Sequence, residues 1–253
     1  MDPKILSNKI AIVTGGYRGI GEAFTRAYAK NGAIVAICGR SLEEASKKAE
    51  NLSKDYNTSV IAYKVDVSKK EEVKKMVEDV AKRFGRIDIL VNCAGTSGVQ
   101  KPFWEIEDEE FDKVFDTNFR GALYFSREVA NYMIKQRSGK IINVASIAGK
   151  LVLKYMMPYC ISKVALIHLT KVMALELMKY NIQVNVVSPG YFLTDMNRFF
   201  FETEQGKNFI EKYIPIKRVG MPEEIETTAI YLALAPEFLT GCEIVIDGGQ
   251  TLI

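Results

Sequence analysis

Lys9-Ile10-Ala11-Ile12-Val13-Thr14-Gly15-Gly16-Tyr17-Arg18-Gly19-Ile20-Gly21, followed by E-A-F-T-R-A-Y-A-K-N-G, decides the fold of this chain. An apolar, β-branched run ends in a turn of glycines, and the turn opens at once into a helical pattern. The glycine spacing is G-x-x-x-G-x-G. It lets the backbone bend tightly and approach a pyrophosphate, whose charge is favoured at a helix N-terminus. Gly-rich turns also arise for purely steric reasons. Strand, turn and helix in direct succession are what point to a nucleotide. Thr14, Gly15, Tyr17, Arg18, Gly19, Ile20 and Gly21 are therefore candidate cofactor contacts.

Working outward, short β-branched runs alternate with helical patterns to the end of the chain. Strands are predicted at Lys9–Thr14, Ile34–Cys38, Ser59–Lys64, Ile87–Asn92, Gly139–Ala145, Gln183–Ser188 and Glu243–Asp247. Helices are predicted near 19–31, 41–55, 69–84, 107–136, 157–180 and 222–234. This alternation suits right-handed β-α-β crossovers, and strands apolar throughout suit a parallel sheet covered on both faces. The expectation is an α/β, doubly wound fold over residues 1–253 as a single domain. Tyr191–Ile214 has no strand, is too long for a plain connection and too apolar for disorder, so it reads as a helical insertion.

Composition removes several classes of function. The chain has 253 residues, 48% hydrophobic and 26% charged, with a net charge of +3 spread among many Lys and Glu, which gives no nucleic-acid or membrane signal. No apolar run approaches the ~20 residues of a membrane span, and the start M-D-P-K is no signal peptide. Cys38, Cys93, Cys160 and Cys242 lack metal-like spacing and read as reduced thiols of a cytoplasmic protein. His168 is the only histidine, which argues against a Ser-His-Asp triad and a His-based metal site. No metal is expected. A catalyst of this composition needs another proton carrier.

Ser146, Tyr159 and Lys163 supply one, in S-I-A-G-K-L-V-L-K-Y-M-M-P-Y-C-I-S-K. Four residues apart on a helix, Tyr159 and Lys163 project from one face. A phenol titrates near ~10, and an ammonium one turn away is expected to pull it down toward neutrality. The Ser146 hydroxyl could hold a carbonyl or alcohol oxygen against that phenol. Y-x-x-x-K is also common in ordinary amphipathic helices, so its weight comes from the rest of the chain.

The end of the second strand bears on the choice of cofactor. A carboxylate there would bind the ribose 2′-hydroxyl of NAD and repel a 2′-phosphate. This chain has Cys38-Gly39-Arg40-Ser41 instead. Arg40 with Arg18 could clamp a phosphate, and both could equally be solvated surface arginines; the pair favours NADP(H) over NAD(H). After the third strand comes Asp66-Val67, where a carboxylate could accept from an adenine amine, or Asp66 or Ser68 could cap a helix.

With these pieces together, the chain resembles the classical short-chain dehydrogenase/reductase family over essentially its whole length. Thr14–Gly21 matches the family's T-G-x-x-x-G-x-G loop. Asn92-Cys93-Ala94-Gly95 resembles its N-N-A-G segment, with Cys93 in place of the second Asn and with Asn92, Ala94 and Gly95 kept. Asn118, Ser146, Tyr159 and Lys163 match its catalytic tetrad. Pro189-Gly190 and Thr194, with Phe192 between them, resemble the P-G-x-x-x-T segment that in the family packs against the nicotinamide. Ile246-Asp247-Gly248-Gly249 resembles its closing V-D-G-G.

The resemblance implies a Rossmann-type sheet of seven parallel strands and hydride transfer between nicotinamide and a carbonyl or secondary alcohol. It implies that Tyr159 is the general acid/base, that Lys163 serves phenol and ribose, that Ser146 places the oxygen, and that Asn118 holds a relay water. It also implies a homotetramer built through the 107–136 and 157–180 helices. A dinucleotide-sensing scaffold on the same fold is the non-enzymatic alternative, against which the complete tetrad stands.

The substrate is less legible. Thr96–Val99, Leu151–Met157 and the 191–214 insertion are candidate walls, with Leu153, Tyr155, Met156, Met157, Phe192, Met196 and Phe199–Phe201 able either to line a pocket or to seal a lid or interface. T-D-M-N and the sequence after it resemble gluconate 5-dehydrogenase-like members, which implies a small polyol, sugar acid or ketone. The alternative is 3-oxoacyl-acyl-carrier-protein reduction, which needs a basic docking face. Leu175 stands where carrier-protein reductases resemble A-R-E-V, although Lys135, Arg137 and Lys140 lie nearby.

Overall fold

A computed structural model describes residues 4–194 and 197–253. Seven strands form one sheet: β1 (Ile10–Thr14), β2 (Ile34–Gly39), β3 (Val60–Lys64), β4 (Ile89–Asn92), β5 (Gly139–Val144), β6 (Ile182–Pro189) and β7 (Glu243–Ile246). Their order is β3-β2-β1-β4-β5-β6-β7, and every neighbouring pair is parallel. The expected doubly wound, seven-stranded parallel sheet is present. β1, β4 and β6 are buried along their whole length, the pattern of strands covered on both faces.

Helices α1 (Gly19–Lys30), α2 (Leu42–Tyr56), α3 (Lys70–Phe84), α4 (Asp108–Phe115), α5 (Gly121–Gln136) and α6 (Met157–Leu177) follow their strands; α7 (Arg198–Glu202), α8 (Glu204–Tyr213) and α9 (Glu226–Ala233) come later. Phe24, Tyr28, Leu52 and Leu232 seal one face of the sheet beneath α1, α2 and α9. Val77, Phe125, Met133 and Met173 seal the other beneath α3, α5 and α6. Burial of such side chains contributes about 1.5–3 kcal/mol each and anchors the helices that carry the site.

Two helical expectations gain detail. The 107–136 stretch is helical throughout, and α4 passes into α5 through a π-turn at Asp116–Arg120. The 191–214 insertion is helical, but as two short helices, α7 and α8, joined at Thr203, whose hydroxyl accepts from Gly206 N at 3.0 Å. Among the described residues no helix is long and apolar enough to cross a membrane.

Candidate active site

The strand order reverses between β1 and β4, and a crevice at such a point, beyond the carboxyl ends of the strands, is where open α/β sheets bind ligands. The glycine loop lies there. Gly19 has φ +54, and α1 begins at it with no side-chain cap, leaving the helix N-terminus open. A Cβ at Gly21 would lie 2.3 Å from the Gly15 carbonyl oxygen, and one at Gly19 would lie 3.2 Å from Thr194 Cγ2. The loop after β6 thus comes down onto the glycine loop. Gly190 N donates to Ile246 O at 2.8 Å, tying the Pro189-Gly190 turn to the end of β7.

Several expected cofactor residues have their side chains committed inside the protein. Thr14 Oγ1 accepts from Cys93 N at 2.9 Å and Ala94 N at 3.0 Å, which fixes the loop after β4. Asn92 Nδ2 donates to Ser126 Oγ at 2.9 Å and Asn143 Oδ1 at 2.8 Å, and Asn143 donates on to Thr170 at 2.8 Å. This buried ladder locks β4, β5, α5 and α6 in register. The Asn92 Oδ1 is left buried without a hydrogen-bond partner among the described residues. Ser41 Oγ caps α2 by accepting from Glu44 N at 3.3 Å. Val67 and Phe192 are buried among apolar side chains. Ile20 packs against the same core as Phe192.

Asp66 is not a helix cap, and neither is Ser68. Asp66 Oδ1 accepts from Ser68 N at 3.0 Å and Ser68 Oγ at 2.7 Å, closing a turn ahead of α3. Partial burial pushes the Asp66 carboxyl up, but the Ser68 hydrogen bonds and the Arg40 charge outweigh it and hold the group below its ordinary value. Arg40 is exposed at the end of β2. Tyr17 is buried against Gly39, where a Cβ would lie 2.1 Å from its ring, and the Arg18 guanidinium sits 5.5 Å from the Tyr17 centroid. Arg18 and Arg40 are thereby placed at the same end of the crevice.

Ser146, Tyr159, Lys163 and Asn118 meet at the other end. Ser146 follows β5 and caps a short 3-10 turn, accepting from Ala148 N at 3.1 Å. Pro158 at the start of α6 sets the helix so that Tyr159 and Lys163 occupy its first two turns. Lys163 Nζ lies 5.5 Å from the Tyr159 ring centroid and donates to Val144 O at 2.9 Å. A Cβ on Gly95 would come within 3.3 Å of Asn118 Oδ1 and 3.6 Å of Lys163 Nζ, so the missing side chain leaves a cradle beside both. An open helix end, a glycine cradle and two exposed arginines along one crevice fit a nicotinamide dinucleotide.

Asn118 lies in the π-turn, a widening of the helix frequent at functional sites. Its Nδ2 donates to Thr96 O at 2.9 Å and Ser162 Oγ at 3.0 Å, and its Oδ1 accepts from Thr96 N at 2.8 Å. Ser162, which the sequence did not single out, also donates to Tyr159 O at 2.7 Å and so couples the π-turn to the tyrosine. Its signal was a polar residue three positions after Tyr159 and beside Lys163.

The electrostatics correct one expectation. Burial pushes the Tyr159 phenol above its ordinary value, and the Ser146 hydroxyl facing it only partly offsets this. Burial drives Lys163 down to about 8. Desolvation is the largest effect on both groups among the described residues. Cys93, half-buried beside Lys163, is pushed up by desolvation to about 12 and is a thiol, not a thiolate.

The aromatic insertion packs largely on itself. Tyr191 stands edge-on to Phe209 at 5.1 Å and to Phe201 at 5.8 Å, and Phe209 contacts Tyr213 at 5.1 Å. Phe201 is buried whereas Phe199 is 83% exposed. Met196 lies outside the described residues. A cavity of about 200 Å³ behind this segment is lined by Tyr191, Phe192, Arg218 and Asp247 and by no member of the tetrad.

A family model described as enoyl-(acyl carrier protein) reductase matches residues 15–251. The chain belongs to the short-chain dehydrogenase/reductase family. It is 33% identical to a NAD-dependent glycerol dehydrogenase of Listeria innocua, covering 98% of this chain and 95% of the relative. It is 36% identical to a 3-oxoacyl-acyl-carrier-protein reductase of Thermotoga maritima, covering 98% and 99%. The crystal structure of L-sorbose reductase from Gluconobacter frateurii, complexed with NADPH and L-sorbose, matches with a TM-score of 0.92 and 31% identity over 100% of both chains. The chain is a short-chain oxidoreductase, and these relatives act on alcohol and keto groups.

Proposed function

We propose that this enzyme uses NADP(H) to interconvert a small carbonyl compound (a keto sugar, sugar acid or ketone) and its secondary alcohol. The observation that carries it is the meeting of Tyr159, Lys163, Ser146 and Asn118 at one end of a crevice whose other end presents Arg18 and Arg40. Bound along that crevice, a nicotinamide dinucleotide supplies or accepts the hydride. Arg18, Arg40 and Ser41 would hold the adenosine end, Asp66 and Val67 the adenine, and Gly15 to Gly21 the pyrophosphate at the N-terminus of α1. Ala94, Gly95, Pro189, Gly190, Phe192 and Thr194 would hold the nicotinamide half.

In the reductive direction Tyr159 gives its phenolic proton to the carbonyl oxygen as the carbon receives hydride. A phenol raised by burial is fully protonated at neutral pH, which suits the donor form. The Lys163 ammonium neutralises the phenolate that remains, and Ser146 holds the substrate oxygen. Asn118 acts through position, gripping Thr96 and Ser162; a relay water falls to its main-chain carbonyl, because its side-chain amide is already bonded.

Arg18, Arg40 and the absence of a carboxylate from Cys38-Gly39-Arg40-Ser41 favour NADP(H), as does NADPH in the sorbose reductase; the NAD-dependent glycerol relative favours the other choice. Carrier-protein docking is the weaker alternative. Lys140 is drawn inward to Gln183 and the Ala235 carbonyl, Arg137 stacks 5.7 Å from the Tyr180 ring, and Leu175 is 71% exposed on α6. With Ile161, Val164 and Val172, Leu175 instead offers an apolar face for a homotetramer. Four free thiols suit a reducing, cytoplasmic setting.

A screen at saturating NADP(H) with sugar acids, ketoses, cyclic ketones and acyl thioesters tests this. Turnover of small carbonyls is expected; turnover of thioesters alone would replace it with the carrier-protein function. Tight cofactor binding with no turnover would favour a sensor.

A further inference from the structure

Asp88, Glu226 and Glu243 are carboxylates drawn inward with charged partners. Asp88, just ahead of β4, accepts from Ile10 N at 2.9 Å and pairs with Lys9 and Arg86, away from the carboxyl ends of the strands. Glu226 pairs with Arg26 and ties α9 to α1. Glu243 differs, because its side chain runs toward the site. It begins β7 opposite Val186, yet its Oε1 accepts from Ser188 Oγ at 2.6 Å, two residues further along β6. The side chain therefore leans along the sheet to its carboxyl end. Side chains alternate across a strand, so Glu243 shares a face with Val186, which packs with Ala145 and with Ile167 of α6.

The two oxygens of Glu243 hold two different segments. Oε1 holds Ser188, which is fully buried and directly precedes Pro189-Gly190. Oε2 lies 3.2 Å from Lys150 Nζ. Lys150 ends the 3-10 turn that Ser146 opens: its N–H donates to Ile147 O at 2.8 Å, and Gly149 N donates to Ser146 O at 2.9 Å. At their roots the same two segments are joined by Ala145 N, which donates to Val187 O at 2.8 Å. A carboxylate with 14% of its side chain exposed is costly to desolvate, and well-packed apolar side chains in its place would hold the sheet as well or better. What the ionic bridge adds is direction, because it sets the Ser146 turn at a fixed distance from the Pro189-Gly190 turn.

We propose that Glu243 is a positioning residue for hydride transfer. Holding Ser188 and Lys150 from its two oxygens, it fixes the Ser146 turn, which places the substrate oxygen, against the Pro189-Gly190 segment, which places the nicotinamide. An error of about 1 Å between reacting groups costs on the order of a hundredfold in rate, so slack in this bridge falls on kcat. Glu243 acts through these partners rather than on the reacting atoms. This deepens the small-carbonyl reading and rests on it, because that reading gives both segments their roles.

Steady-state kinetics with NADPH, and with NADPH deuterated on the transferring carbon, test it beside thermal unfolding, using 5-keto-D-gluconate, L-sorbose and cyclohexanone as carbonyl probes. Glu243→Val removes both ties, while Lys150→Met and Ser188→Ala remove one each. All three should lower kcat about tenfold or more, with KM for the carbonyl within about threefold and an isotope effect on kcat that holds or grows. Lys150→Arg keeps charge and reach and should recover kcat to within about threefold of wild type. Lys150→Met combined with Ser188→Ala should lose no more than Glu243→Val, because one cut already frees the bridge. Lys150→Met carries the test even if Glu243→Val does not fold: its ion pair is half-exposed, so Tm should stay within about 2–4 °C of wild type. Wild-type kcat in Lys150→Met and Ser188→Ala would overturn the proposal alone. So would an isotope effect that shrinks toward one as kcat falls, which places the loss outside hydride transfer, or losses that multiply in the double variant. A wild type that reduces none of the probes would overturn the reading beneath and this proposal with it.

Discussion

The two ends of the crevice are built in different ways. At the glycine loop the geometry is a matter of backbone: a Cβ at Gly21 has no room against the Gly15 carbonyl, and Gly19 holds φ +54 with Thr194 Cγ2 only 3.2 Å from where its Cβ would lie. Toward the Ser146-Tyr159-Lys163 end it is a matter of side chains. There the Asn118–Ser162 contact and the Tyr159–Lys163 pair, like the aromatic cluster around Phe209 in the neighbouring segment, depend on side-chain packing that many sequences could achieve in other ways. Backbone-determined sites tolerate almost no substitution, whereas side-chain sites tolerate many and change specificity when they do.

The sharpest way to break this comparison is Gly21→Ala. Its Cβ would meet a carbonyl oxygen that cannot rotate away, so NADPH affinity should fall by about a hundredfold or more, and overpacking should cost about 1–3 kcal/mol of stability. Equilibrium binding and thermal unfolding report both, and wild-type affinity would show that the loop can yield. Arg40→Asp should shift the NADPH-to-NADH preference by about ten- to a hundredfold, through loss of a charge-assisted contact and gain of a repulsion. An unchanged ratio of kcat/KM values would remove Arg40 from phosphate recognition.

The pH dependence carries the smallest effect. Lys163, driven down to about 8 by burial, loses its charge in the free enzyme above that pH, while Tyr159 stays protonated. Reductive kcat/KM should be level to about pH 8 and then fall by up to tenfold per unit. A level profile to pH 10 would deny the ammonium a role. For stability the sign is opposite: between about 8 and the ordinary lysine value the unfolded chain binds more protons than the folded one, so this group adds stability as pH rises.

What was legible in the sequence follows the same division. The parallel sheet, the glycine loop and the Ser146-Tyr159-Lys163 cluster could be read because strand periodicity, glycine spacing and a one-turn helical interval are local properties. The π-turn at Asp116–Arg120 could not, because nothing in D-T-N-F-R distinguishes a widened turn from an α-helical one. Nor could the inward bonding of Asn92 to Asn143, or that of Asn118 to Thr96 and Ser162, since these partners are 51, 22 and 44 residues apart and meet only in the assembled sheet. The direction of the Tyr159 shift was misjudged for a related reason: spacing shows that a lysine is near, but not that both groups are desolvated together.

The central claim is that Tyr159 donates the proton while the glycine loop holds the cofactor independently of it. Tyr159→Phe, assayed for NADPH-dependent carbonyl reduction beside an NADPH binding titration, tests it most directly. Turnover should fall about a thousandfold or more, with NADPH affinity within about twofold of wild type. A variant that keeps more than a few per cent of wild-type turnover, on the order of what general acid catalysis alone could not lose, would contradict the account.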